Sequence, residues 1–193
     1  MGKIKKKKFS WDDGSIGRFQ PLSTFHINKV MARYEKNQNF KFLGAIPIDF
    51  NDFEEFGIRN LDYGKLLTID KFKLGFVFNF DKNYQPGSHW VALYSDLTNG
   101  EIYFFDSHGL KPKSRILMLM RKISNFCKIE LGNKKINMNY NKIKHQSANI
   151  ECGIYSIHFL VRMLEGESFN DISRNRISDR NINKYRNVYF NVK

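Results

Sequence analysis

Apolar positions along this chain switch between helical and strand periods, and the switches mark out its elements. Ile27, Val30, Met31 and Tyr34 recur on one face behind Ser23, a residue type that caps helix starts, so a helix is predicted over Ser23 to Lys36. Ile116, Leu119, Met120, Ile123 and Cys127 share the face of a second helix, predicted from Pro112 to Cys127 with proline at its start. Cys152 to Leu164 is apolar on almost every side, the pattern of a helix buried in the middle of a fold. Ser178 to Arg186 predicts a last helix. Between these lie runs rich in aromatic and β-branched residues: Phe72 to Phe80, His89 to Tyr94 and Glu101 to Asp106. Pro86-Gly87-Ser88 and Asp96-Leu97-Thr98-Asn99-Gly100 supply the turns between them. Lys135 to Tyr140 alternates as a further strand. Phe42 to Pro47 is a short apolar run broken by Pro47, Asn51 to Phe56 predicts a helical turn, and Leu61 to Asp70 is ambiguous. Without repeats or a linker, the pattern predicts a single α+β domain over 21–193, preceded by a basic arm at 1–20.

Composition narrows this picture. A 41% apolar fraction and eighteen Phe among 193 residues supply a real core. No run approaches the ~18 apolar residues of a membrane span, and no apolar run follows the basic N-terminus, so neither a membrane partner nor a signal peptide is expected. Two cysteines are too few for a disulfide scaffold and suit a reducing, intracellular setting. The formal charge of +13 points to anionic surroundings, such as non-specific contact with nucleic acid through a basic surface. Lys3 to Lys8 reads first as a solvated arm. No helix-turn-helix, zinc or RNA-binding signature accompanies the charge.

The candidate chemistry centres on Cys152, which stands where the most apolar helix begins. A helix N-terminus and a nearby imidazolium both lower a thiol pKa, so the position suits a nucleophile. It equally suits the first buried residue of a core helix. Gly153, which follows, would let a substrate backbone approach. Cys127 lies on an apolar stripe and reads as packing. His89 and Asp106 lie on adjacent strands, where an Asp can fix the tautomer of a His base. A four-residue loop of Asp96 to Asn99 puts them directly opposite, with Cβ atoms about 5 Å apart. A tight Asn99-Gly100 turn would instead offset them by four positions, about 13 Å. A working pair therefore predicts the longer loop despite the Asn-Gly signal. Gln146, in a loop feeding the Cys152 helix, could donate to an oxyanion together with the Cys152 backbone N–H. His108 and His145 are also available, but no Cys-x-x-Cys or His-x-x-x-His spacing supports a metal, and no cofactor is implied.

Taken together, His89-Trp90, then Asp106, then Gln146-Ser-Ala-Asn-Ile-Glu-Cys152-Gly153-Ile154-Tyr155 resembles the adenain-like clan of cysteine proteases. That clan includes the adenovirus endopeptidase, the SUMO-specific proteases and maturation proteases of large DNA viruses. The order of the four residues, the His-Trp dipeptide, the seventeen-residue His-to-Asp step and the six-residue Gln-to-Cys step carry the likeness, from about Pro21 to the C-terminus. The resemblance implies a central mixed or antiparallel sheet carrying His89 and Asp106, flanked by helices, with Cys152 heading a buried one. It implies that Trp90 lines a narrow groove for a glycine-rich cleavage sequence. Two departures stand out: Glu151 replaces the usual Asp, and Pro21-Leu22 stands where SUMO proteases carry Trp-Leu. The segment Phe40 to Phe50 looks like the large-DNA-virus members. The resemblance thus implies cleavage of a viral precursor polyprotein, in a virion or cytoplasmic viral factory, with a ubiquitin-like protein as the alternative substrate.

Overall fold

The structure, a computed structural model, describes residues 20–36, 39–85 and 87–190. The predicted basic arm lies almost wholly outside them.

Five strands form one sheet in the order β1 (Phe40–Pro47), β2 (Lys73–Asn79), β3 (Trp90–Asp96), β4 (Glu101–Phe105) and β5 (Asn137–Tyr140). The two outer pairs are parallel, whereas β2, β3 and β4 run antiparallel. The sheet is therefore mixed, and its centre is buried on both faces: all seven residues of β3 are buried. Period-two alternation divides them. Trp90, Ala92 and Tyr94 join one apolar cluster, while Val91 and Leu93 join the other.

The first cluster is filled by α4 (Cys152–Leu164), which lies across the sheet with α1 (Thr24–Met31) beside it. Twelve of the thirteen α4 residues are buried, as its all-round apolar pattern required. The second cluster is closed by α2 (Tyr63–Thr68) and by the Ile116, Leu119, Met120, Ile123 and Cys127 stripe of α3 (Ser114–Ile129). Three short helices complete the α4 side: α5 (Phe169–Arg174), α6 (Asp179–Lys184) and α7 (Arg186–Tyr189).

Several local expectations need correction. Helix α1 is capped by Ser23, whose side chain accepts the His26 N–H, but the helix ends at Met31 rather than Lys36. Asn51 to Phe56 divides into two 3-10 turns. The run at Phe42 is a full strand, interrupted by an irregularity where Gly44 takes φ +105° and the Ala45 N–H donates to Asn28 Oδ1. The last predicted helix is two, meeting at Tyr185.

The β3–β4 connection decides the site. Its loop has four residues, but they are Leu97 to Gly100, because Asp96 pairs with Glu101. The Asp96 carboxylate accepts the Thr98 hydroxyl and the Asn99 N–H, capping a turn that ends on Gly100 at φ +63°. Continuing this register sets His108 opposite His89, with Asp106 two residues back along the neighbouring strand. His89 and Asp106 are thus diagonal neighbours, not directly opposed. The even loop length keeps them on one side, and the Asn99-Gly100 two-residue turn does not form.

Candidate active site

His89 and Asp106 stand just beyond the ends of β3 and β4, where the backbone leaves the ladder. His89 Nε2 meets Asp106 Oδ1 at 2.7 Å, with the carboxylate fully buried and the imidazole partly exposed. The other side chain that acts on His89 is Cys152, which favours its protonated form. Burial is the largest influence on His89 and lowers its proton affinity. The hydrogen bonds to Asp106 and Cys152 and the charges of both outweigh it, and the imidazole is raised from 6.5 to about 9. His89 is therefore poised to carry a proton. His108 packs edge-on against it, ring centroids 4.6 Å apart, and burial and the neighbouring His89 push His108 down.

Asp106 is held by more than its strand. Asn141, just past the end of β5, accepts the Asp106 N–H through Oδ1 at 2.8 Å and donates Nδ2 to the Asp106 carbonyl at 2.7 Å. A side-chain amide thus continues the β4–β5 ladder for one more residue. Asp106 Oδ1 also accepts the His108 N–H at 2.8 Å. A carboxylate fixed at both backbone and side chain gives the imidazole one orientation.

Cys152 opens α4, with Glu151 in the N-cap position. Glu151 does not cap the helix: its carboxylate turns back to accept the Ile150 N–H and the Asn183 Nδ2–H. The first backbone N–H groups of a helix have no partner within it. Here the cap side chain leaves them open, which is what an oxyanion at this point requires.

Gln146 is buried, and its amide orientation is fixed. Oε1 accepts the Ser107 hydroxyl at 2.6 Å, so Nε2 carries the protons, one of them donated to the Ala148 carbonyl at 2.7 Å. Ser107 also accepts the backbone N–H of Gln146 through its carbonyl. Because Ser107 follows Asp106 directly, one dipeptide orients both the imidazole partner and the amide.

Trp90 and Gly153 meet at Leu22. The indole Nε1 donates to the Leu22 carbonyl at 2.9 Å, and a Cβ on Gly153 would come within 3.0 Å of Leu22 Cβ. The space over Gly153 is thus filled by Leu22 rather than open, and that packing is what requires glycine. Trp90 is also buried, with its hydrogen-bonding end used internally.

Sequence reasoning missed Asn141, Ser107, Leu22 as a packing residue, and Arg186, which is fully buried near Glu151. None lies in a motif, and each acts through contacts across 35 or more residues or through a backbone atom. His145 sits apart, its Nε2 toward the Ser173 carbonyl, and burial pushes it down. Cys127 is buried on α3, away from these groups, and burial pushes its thiol up to about 11. Among the described residues, no three His, Cys, Asp or Glu side chains are grouped to hold a metal ion.

A cysteine heading a buried helix, an imidazole joined to it, and a buried carboxylate behind that imidazole form a cysteine-peptidase arrangement on a mixed sheet. The Ulp1 protease family, C-terminal catalytic domain, matches residues 68–192, and the chain belongs to that family. A thiol protease of Acanthamoeba polyphaga mimivirus is 42% identical over 170 residues, which cover 88% of this chain and 56% of the relative. A cysteine protease of African swine fever virus is 24% identical over 188 residues, 89% of this chain and 68% of that one. The chain thus spans little more than half the length of the mimivirus relative. The crystal structure of the African swine fever virus protease shares the fold, with TM-score 0.76 at 23% identity over 93% of this chain and 72% of that chain. So does the yeast Ulp1 protease domain solved in complex with Smt3, the yeast SUMO ortholog, with TM-score 0.60 at 17% identity over 90% and 76%.

Proposed function

We propose that this protein is a cysteine endopeptidase that cuts after glycine-rich sites, of the Gly-Gly-X or Gly-X kind, in viral structural precursors during virion maturation. The observation that carries the chemistry is His89, held by Asp106 at 2.7 Å and acted on by the Cys152 side chain at the head of α4. His89 takes the thiol proton, and the Cys152 sulfur attacks the scissile carbonyl carbon. The C=O π electrons move onto oxygen, which the Cys152 backbone N–H and the Gln146 amide receive. The oxyanion then collapses, the C–N bond breaks, and His89 returns the proton to the leaving amine. Water, deprotonated by His89, hydrolyses the resulting thioester and restores the thiol. Asp106 holds the imidazole in the orientation that both proton transfers need.

The viral substrate draws its support from the two relatives, both viral proteases. The net charge of +13 suits work beside packaged nucleic acid, in a virion or viral factory. Incubating the protein with precursor fragments tests the reading: a cut at a glycine site, absent with Cys152→Ala, is expected. Intact fragments at neutral pH overturn it.

A second reading keeps the chemistry and changes the substrate to a ubiquitin-like protein. It is favoured by the family itself and by African swine fever virus relatives named SUMO-1 cysteine protease. Pro21-Leu22, in place of the Trp-Leu of SUMO proteases, argues against it. A ubiquitin-like activity probe that labels Cys152 selects this reading; a probe that leaves it free removes it.

A further inference from the structure

Arg186, the first residue of α7, is fully buried, and a buried guanidinium is costly unless charge and hydrogen bonds compensate it. Its Nε donates to Asn183 Oδ1 at 2.9 Å, and Asn183 Nδ2 in turn donates to Glu151 Oε1 at 2.9 Å. Its Nη2 reaches the Ile150 carbonyl at a long 3.5 Å, and Nη1 has no partner among the described residues. Arg186 therefore reaches the Ile150 carbonyl directly and Glu151 through Asn183, leaving part of its fork unsatisfied.

Two opposite charges thus lie at the turn that leads into Cys152. The Glu151 carboxylate adjoins Cys152 in sequence and opposes a thiolate. The Arg186 guanidinium favours one. Both Glu151 and Cys152 act on Arg186, holding its proton against the burial that is the largest influence on it and lowers it. The other groups facing this cluster are His89 on Cys152, with Asp106 and His108 behind it, and Tyr155 on the Glu151 side, its hydroxyl donating to Asp179.

We infer that Arg186 is a positioning residue that offsets Glu151 and thereby sets the pH at which Cys152 and His89 become a thiolate–imidazolium pair. The inference rests on Cys152 being the nucleophile. It gives Glu151 a defined place: with its carboxylate drawn to Asn183, the acid neither caps α4 nor acts on the sulfur uncompensated.

The test is the pH dependence of Cys152 alkylation by iodoacetamide, read by peptide mapping on the full chain. Folding of each variant is checked by circular dichroism. Arg186→Met should raise the midpoint by about one pH unit, and Glu151→Gln should lower it by a comparable amount, the usual scale for one nearby charge. The double variant should return close to wild type. A merely structural role would move the singles in one direction or not at all. If Arg186→Met fails to fold, Asn183→Ala, which cuts the link between Arg186 and Glu151, is read in its place and should raise the midpoint; an unmoved midpoint overturns the inference. A wild-type Cys152 that alkylates like an ordinary thiol, with a midpoint about 8.5, would instead remove the nucleophile reading beneath it.

Discussion

Replacing Asp106 by Asn isolates what the carboxylate charge does to His89, because the amide keeps the shape and can leave an oxygen where Oδ1 stands. In the wild type, burial lowers the proton affinity of His89, and the Asp106 and Cys152 contacts carry it back up to about 9. In Asp106→Asn the burial remains, and what answers it is Cys152 and a neutral acceptor worth about 1 kcal/mol. The imidazole should fall by about two units, toward its unperturbed 6.5. At about 1.4 kcal/mol per unit, the wild-type elevation corresponds to roughly 3 kcal/mol of linked stability.

The sign follows from which state binds the proton. His89 has a higher pKa folded than unfolded, so the native state holds the extra proton between 6.5 and about 9. This contribution is complete below 6.5 and is lost as pH rises through 9. Urea denaturation across that range should show the wild type losing about 3 kcal/mol more than Asp106→Asn. NMR titration of the His89 ring, assigned with His89→Gln, should place its midpoint near 9 in the wild type. Cleavage should drop by a hundredfold or more, since the variant loses the partner that fixes the tautomer. Stability curves running parallel from pH 6 to 10, or a His89 midpoint near 6.5 in the wild type, would refute the reasoning.

Three further outcomes are expected. Iodoacetamide at neutral pH should modify Cys152 and spare Cys127, whose thiol is buried and pushed up to about 11; Cys127→Ala should keep activity where Cys152→Ala loses it. Ser107→Ala removes the 2.6 Å donor to Gln146 Oε1 and frees the amide to turn, so kcat should fall about tenfold, less than the 10²–10³ for deleting a donor outright, with KM little changed. Gly153→Ala forces a Cβ to 3.0 Å from Leu22 Cβ, and thermal denaturation should report a loss of about 1–3 kcal/mol. Combining it with Leu22→Gly, which removes that Cβ, should cost less than the two losses summed.

How much was legible follows from the range over which each feature is encoded. The limits of α4 and the buried stripe of α3 are written in local periodicity, and they fall where the pattern put them, α4 from Cys152 to Leu164. His89, Asp106 and Cys152 were singled out by residue type and order; the strand ends set His89 2.7 Å from Asp106, and Cys152, at the head of α4, acts on the same imidazole. The register was legible only to its parity. Asp96 closes the turn one residue later than expected, because its carboxylate caps Thr98 and Asn99, a choice made by one side chain rather than by strand pattern. Helix α5 was missed because six residues with Phe169 and Ile172 on one side carry too little period to read, although Ser168 caps it. Asn141 was invisible for another reason: its value lies in where β5 ends against β4, and nothing near Tyr140 in sequence records that.

The same distinction explains the head of α4. Taken alone, a Glu before an apolar helix places acid favourably against the helix dipole. The fold turns that acid aside by bringing Asn183 to its Oε1 from a segment 32 residues later. A capped α4 would be the more stable helix by about 1 kcal/mol, yet its first N–H groups would be occupied. Leaving them free costs local stability and produces a polar, unfinished helix end beside Cys152, which Arg186 from α7 keeps from being dominated by negative charge. The helix start is therefore less stable than a capped one, at the place where the proposed mechanism has a developing oxyanion use the deficit.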